Sequence, residues 1–79
     1  VKFVYILQSE VDTDRFYVGT TSDLDRRLSE HNLGQSTHTN KFKPWFVKTY
    51  VAFSDHLKAD EFESFLKSGN GRKFAKKRL

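Results

Sequence analysis

The 79-residue sequence predicts an α+β fold: a small three-stranded, largely antiparallel sheet flanked by helices, in the order β-β-α-β-α-α. Three observations predict it. Two short apolar runs lie close enough together to form a hairpin, a third follows a proline, and the segments between and after them carry helical periodicity. Three strands are too few for a doubly wound sheet. No repeat, low-complexity tract or linker divides the chain, so residues 1–79 are expected to form one domain.

KFVYILQ (2–8) reads as a strand with Phe3, Tyr5 and Leu7 on one side and Val4 and Ile6 on the other, both sides covered. A polar loop (9–14) leads to RFYVG (15–19), the return arm of a hairpin. There Arg15, Tyr17 and Gly19 share a face, and a register that brings Tyr5 near Tyr17 is allowed. Ser22 is the expected cap of the first helix, with Asp25 as its N3 partner and Asp23 favouring the positive helix start. That helix should reach about Leu33 and stop at Gly34. Residues 35–43 form a polar, basic loop. Pro44 introduces the third strand, 45–53, with Trp45, Val47, Val51 and Phe53 expected on one face. Residues 54–68 form the second helix, with Phe62, Phe65 and Leu66 as its stripe and Ala59 at the edge. GNG (69–71) is expected to break it, and RKFAKKRL to form a short final helix anchored by Phe74 and Leu79.

Composition narrows the functional classes. The chain has no cysteine, which excludes a disulfide framework and a thiolate zinc site. No apolar run approaches the roughly 20 residues of a membrane span, and no secretory signal is visible, so the expected location is the cytoplasm. Residues 1–66 hold eight Lys/Arg against ten Asp/Glu, whereas residues 67–79 hold six Lys/Arg and no acid. A basic end on a slightly acidic body suits either a phosphate-rich partner or a solvated tail.

The first helix mixes charge with core. With Leu24 at zero, Leu28 lies about 40° away, His31 about 20° away on the other side, and Arg27 about 60° away on the rim. Arg26 points nearly opposite, into solvent. A histidine on an apolar face is commonly a hydrogen-bonded core residue, and a rim arginine commonly snorkels to water. A bound phosphate would equally remove the cost of a half-buried guanidinium. Glu63 sits beside the stripe of the second helix. An i, i+4 ion pair with Lys67 and a single carboxylate holding one hard cation are both open.

VYI (4–6), YVG (17–19) and DLDRRLSEH (23–31), followed by HNLGQSTHTNKFKPW and FESFLKSGNGRKFAKKRL, resemble the GIY-YIG nuclease superfamily, and within it the small stand-alone bacterial branch. The resemblance covers essentially the whole chain. Val4 replaces the first glycine of the name motif, and Val18 replaces isoleucine. The resemblance implies a metal-dependent endonuclease that hydrolyses phosphodiester bonds in DNA, with a place in DNA repair or recombination. It implies one divalent cation, Mg2+ or Mn2+. It assigns Tyr5 and Tyr17 to the two tripeptides, Arg27 and His31 to the helix pair, and Glu63 to the metal. His38, on the polar loop, is a further expected catalytic residue.

In the expected chemistry Tyr5 deprotonates the water, with its pKa brought down by Arg27 or the cation, and Tyr17 orients the water. His31 positions Tyr5 or relays its proton, and Arg27 holds a non-bridging oxygen. Lys41, Lys43, Lys67, Arg72, Lys73, Lys76 and Lys77 are expected to track a nucleic-acid backbone, DNA rather than RNA, without reading sequence. Trp45 or Phe42 is a candidate to stack on an unpaired base. Sequence specificity is expected to be low, with selectivity coming from nucleic-acid shape, from unpaired strands or from a protein partner; no membrane role is expected. The rival readings are a non-catalytic nucleic-acid-binding module of the same fold and a protein-interaction domain.

Overall fold

The computed structural model describes residues 1–79. The elements are β1 (Lys2–Ser9), β2 (Phe16–Thr21), α1 (Leu24–Asn32), β3 (Trp45–Phe53), α2 (His56–Lys67) and α3 (Gly69–Arg78), with one 3₁₀ turn at Asn40–Phe42. This is the expected order. The sheet runs β2-β1-β3, both pairings antiparallel, so β1 is the central strand and β2 an edge. No helix is long and apolar enough to cross a membrane.

The central strand is buried on both faces, as its unbroken apolar run requires. Tyr5 and Leu7 pack with Trp45 and, around them, Tyr17, Leu24, Leu28, Phe42 and Val47, which puts α1 on one face. Val4 and Ile6 pack with Ala59 and Leu66, and with Val18, Phe53, Phe62, Ala75 and Leu79, which puts α2 and α3 on the other. Val4, standing where the family motif has glycine, is part of that second core.

β3 departs from the expected single face. Leu7 pairs with Val47 but Ile6 pairs with Thr49, so Lys48 is an extra residue in a β-bulge. The bulge reverses the alternation. Trp45 and Val47 therefore face α1, whereas Val51 and Phe53 lie on the α2 side.

The helix ends also differ in detail. Asp23, not Ser22, caps α1, its carboxylate accepting from the Arg26 N–H at 3.1 Å. Gly34 ends the helix with φ +80°, a conformation that favours glycine. Asp55 caps α2. The buried seam of α2 is Ala59 and Leu66, with Phe62 beside it, while Phe65 remains 39% exposed. The GNG segment is not a break but the first turn of α3. Ser68 caps it by accepting from the Gly71 N–H, so a one-residue corner joins α2 to α3. The glycines misled because their helix propensity is poor; the serine before them supplies the start signal.

Candidate active site

Three elements deliver aromatic rings to one place. Tyr5 on β1 pairs with Gly19 on β2, so its ring lies across a residue with no side chain. A Cβ at Gly19 would stand 2.5 Å from the Tyr5 hydroxyl and 3.0 Å from the Tyr17 ring. Glycine is required there for packing, not for backbone conformation. Ring centroids are 6.3 Å apart for Tyr5 and Tyr17, 6.0 Å for Tyr5 and His31, and 5.0 Å for Tyr17 and His31.

His31 is held from both ring nitrogens. Nε2 lies 3.0 Å from the Tyr5 hydroxyl, and Nδ1 lies 2.6 Å from the Thr39 hydroxyl. Thr39 is fixed in turn, because its carbonyl accepts from the Trp45 indole N–H at 2.8 Å. Asn32 ties the same strand start to α1, exchanging hydrogen bonds with the Trp45 backbone at 2.6 and 3.0 Å. Tyr5, His31 and Thr39 are all buried. The apolar-face histidine is thus a satisfied buried imidazole. Burial, helped by the positive charge of Arg27, lowers its pKa to about 4, so the ring is neutral at pH 7.

Arg27 and Arg26 divide as helix phase predicts. Arg26 is solvated, whereas Arg27 is half-buried and donates to Glu30 at 2.9 Å. The Glu30 carboxylate, then Tyr5, hold the Arg27 guanidinium more firmly protonated. Tyr5 does not follow expectation. The neighbouring guanidinium lowers its pKa, but burial is the larger effect and the net direction is up. The negative charges of Tyr17 and Glu63 raise it further. Tyr5 is 1% exposed, whereas Tyr17 is half-buried, so of the two phenols Tyr17 is the one open to solvent.

Glu63, from α2 on the opposite layer, is within electrostatic reach of the Tyr5 phenol. Its half-buried carboxylate pairs with Lys67 at 3.1 Å, so the expected i, i+4 ion pair is present. No three His, Cys, Asp or Glu side chains come together as a metal site, so Glu63 stands without a second ligand of that kind. A carboxylate is a donor that a hard divalent cation such as Mg2+ or Mn2+ accepts, with water and phosphate oxygens completing the shell, but here it holds the Lys67 ammonium.

His38 does not join the cluster. It is exposed on the loop and makes no side-chain hydrogen bond, while the next residue, Thr39, turns inward to His31. Nothing in the run THTN marks which of its polar residues is buried, and only the Trp45 contact makes Thr39 the choice. The expected nucleic-acid-binding residues separate into three groups. Lys67, Arg72 and Lys76 line one groove; Lys73 and Lys77 lie elsewhere on α3; Lys41 and Lys43 flank the 3₁₀ turn. Trp45 is buried, and Phe42 is covered by the Arg15 guanidinium at 4.5 Å from its ring centroid.

A family model described as the GIY-YIG catalytic domain matches residues 1–78. The chain is 39% identical over 67 residues to the structure-specific endonuclease subunit SLX1 of Scheffersomyces stipitis, a match covering 76% of this chain and 20% of that protein. The chain therefore spans about a fifth of the length of the curated relative it matches. No solved structure matches.

Proposed function

The chain belongs to the GIY-YIG family, and from that premise we propose that it is a metal-assisted endonuclease acting on DNA, selective for strand structure and not for sequence. The observation that carries this reading is the convergence of Tyr5, Tyr17 and His31 from β1, β2 and α1, with Arg27 and Glu63 both acting electrostatically on the Tyr5 phenol. A structural core needs none of these polar groups, yet here Tyr5, His31 and Thr39 form one buried hydrogen-bonded chain beside Arg27.

In the proposed reaction Tyr17 orients the attacking water, because it is the solvent-facing phenol. The Tyr5 hydroxyl donates to the empty Nε2 of neutral His31, and Nδ1–H donates to Thr39. That arrangement leaves the phenol oxygen free to accept from Arg27 and from water. As the water oxygen attacks phosphorus, Tyr5 takes its proton and hands its own to His31 Nε2. Tyr5 then works as a relay and not as a standing phenolate, which its raised pKa disfavours. The low pKa of His31 ensures that it sheds the proton to solvent afterwards. Arg27 holds a non-bridging phosphate oxygen. Glu63 would hold the divalent cation, exchanging it for Lys67. When bound, the cation would stabilise negative charge at the leaving 3′ oxygen.

The relative's name calls it structure-specific and a subunit, which supports selection by DNA shape and help from a protein partner. A role in repair or recombination would follow from such substrates. The test is a cleavage screen over single-stranded, duplex and branched DNA and RNA, with Mg2+, Mn2+ or EDTA. Cleavage of DNA that requires metal and falls at least a hundredfold in Tyr17→Phe and Glu63→Gln supports the proposal. Binding without cleavage on every substrate supports a non-catalytic module instead. The Lys67–Glu63 pair is the observation on that side, since it satisfies the carboxylate without a metal.

A further inference from the structure

The sheet face under α2 is covered at only one end. Val4, Ile6, Val18 and Phe53 lie beneath α2 and α3, but further along the sheet Phe16 and Phe46, which flank Gln8, remain exposed. A groove of about 770 Å³ opens there, between β2 and the α2–α3 corner. Its floor includes Ile6, Val18 and Phe16, and Phe16 is 49% exposed. Its walls carry Lys48, Lys67, Arg72 and Lys76 against a single acid, Asp14, whereas the Arg15 guanidinium beside it is turned to Phe42 and Asp12. The β3 bulge contributes directly, because its extra residue, Lys48, sits 5.0 Å from the centre of the Phe16 ring.

An exposed aromatic ring in a basic groove has a chemical counterpart: a nucleobase between phosphates. Base–aromatic stacking tolerates any base, and lysine or arginine beside it neutralises the backbone. The groove also joins the active site. Phe16 and Tyr17 are consecutive on edge strand β2, so they point to opposite faces of the sheet. Tyr17 and Lys67 both line the groove, and Lys67 is the partner of Glu63. A DNA strand crossing the free edge of β2 would thus touch Phe16 on one side and the tyrosine cluster on the other. Duplex DNA presents stacked bases that cannot reach a ring recessed in a groove.

We propose that this groove is a subsite for an unpaired nucleotide next to the scissile phosphate, with Phe16 as its stacking platform. It rests on the endonuclease reading for the position of that phosphate, but it is tested without cleavage. The probe is a fluorescein-labelled, mixed-sequence 15-nucleotide DNA and the blunt duplex of the same length, titrated by anisotropy in EDTA. Wild type should bind the single strand more tightly than the duplex. Phe16→Leu should weaken single-strand binding roughly tenfold and leave duplex binding unchanged. Phe16→Trp should restore binding, and its added fluorescence should be quenched by the single strand and not by the duplex. Single-strand binding by Phe16→Leu equal to wild type, or equal losses on both probes, would overturn the subsite. Phe16-dependent binding by a protein that cleaves nothing with Mg2+ or Mn2+ upholds the subsite and overturns the endonuclease reading alone.

Discussion

His31 connects sequence, stability and chemistry in one side chain. Its burial holds the imidazole neutral down to about pH 4, against an ordinary value of 6.5. Between those values the unfolded chain carries a proton on this ring that the folded chain does not. The contribution is therefore fully present above pH 6.5 and is lost as pH falls towards 4. The shift is worth about 3 kcal/mol. Urea denaturation at pH 7, 5 and 4 should show that loss, and a His31→Gln variant should lose less over the same window than wild type. Thr39 makes a second prediction at this scale. Thr39→Val keeps the volume but leaves the buried Nδ1 unpaired, at a cost of about 1–3 kcal/mol. It should lower the cleavage rate by tenfold or more, and Thr39→Ser, which restores the hydroxyl, should recover most of it. Helix phase made the positions of His31, Arg26 and Arg27 legible in the sequence, because three residues on one α-helix need no tertiary information. The role of Thr39 was not legible, since a loop hydroxyl acquires its partner only when β3 brings Trp45 beneath it. The direction of the Tyr5 pKa was hidden for the same reason: charge neighbours can be guessed from spacing, but burial cannot.

The elements were legible where local signals agree and misread where tertiary structure overrides them. The proline and the apolar run place β3 at 45–53 as found, yet its bulge depends on pairing with β1 and leaves no mark in composition. The α2–α3 corner is the clearest conflict, because two glycines within three residues read as a break. A Cβ at Gly71 would overlap the carbonyl oxygen of Phe65, whereas one at Gly69 would meet nothing within 4 Å. Both are helical, so propensity alone favours alanine at each by up to about 1 kcal/mol. Gly69→Ala should follow propensity and raise the melting temperature slightly. Gly71→Ala should reverse the sign, because overlap with backbone cannot be relieved by a rotamer change and costs about 1–3 kcal/mol or more. Thermal unfolding of the two variants side by side measures the difference. Loss of stability in Gly69→Ala comparable to that in Gly71→Ala would mean that the corner, and not the contact, is what alanine disturbs.

At the scale of the whole molecule, charge is separated from net charge by geometry. The excess of basic residues at the end of the chain was plain in the sequence, but the helix that carries them sorts them by phase. Arg72 and Lys76, four residues apart, line the groove with Lys67; Lys73 and Lys77 lie about 100° further round α3. Two double variants therefore remove the same formal charge from different places. Each phosphate neutralised on a single strand contributes about 0.7 to the slope of log affinity against log salt. Arg72→Ser with Lys76→Ser should reduce that slope by about 1.4 for single-stranded DNA. Lys73→Ser with Lys77→Ser should leave it near the wild-type value, because those side chains point away from the path across β2. Anisotropy titrations at several salt concentrations give the slopes directly. Equal reductions in both variants would mean that the basic end acts as a diffuse cloud, and the strand would then have no defined route past Tyr17.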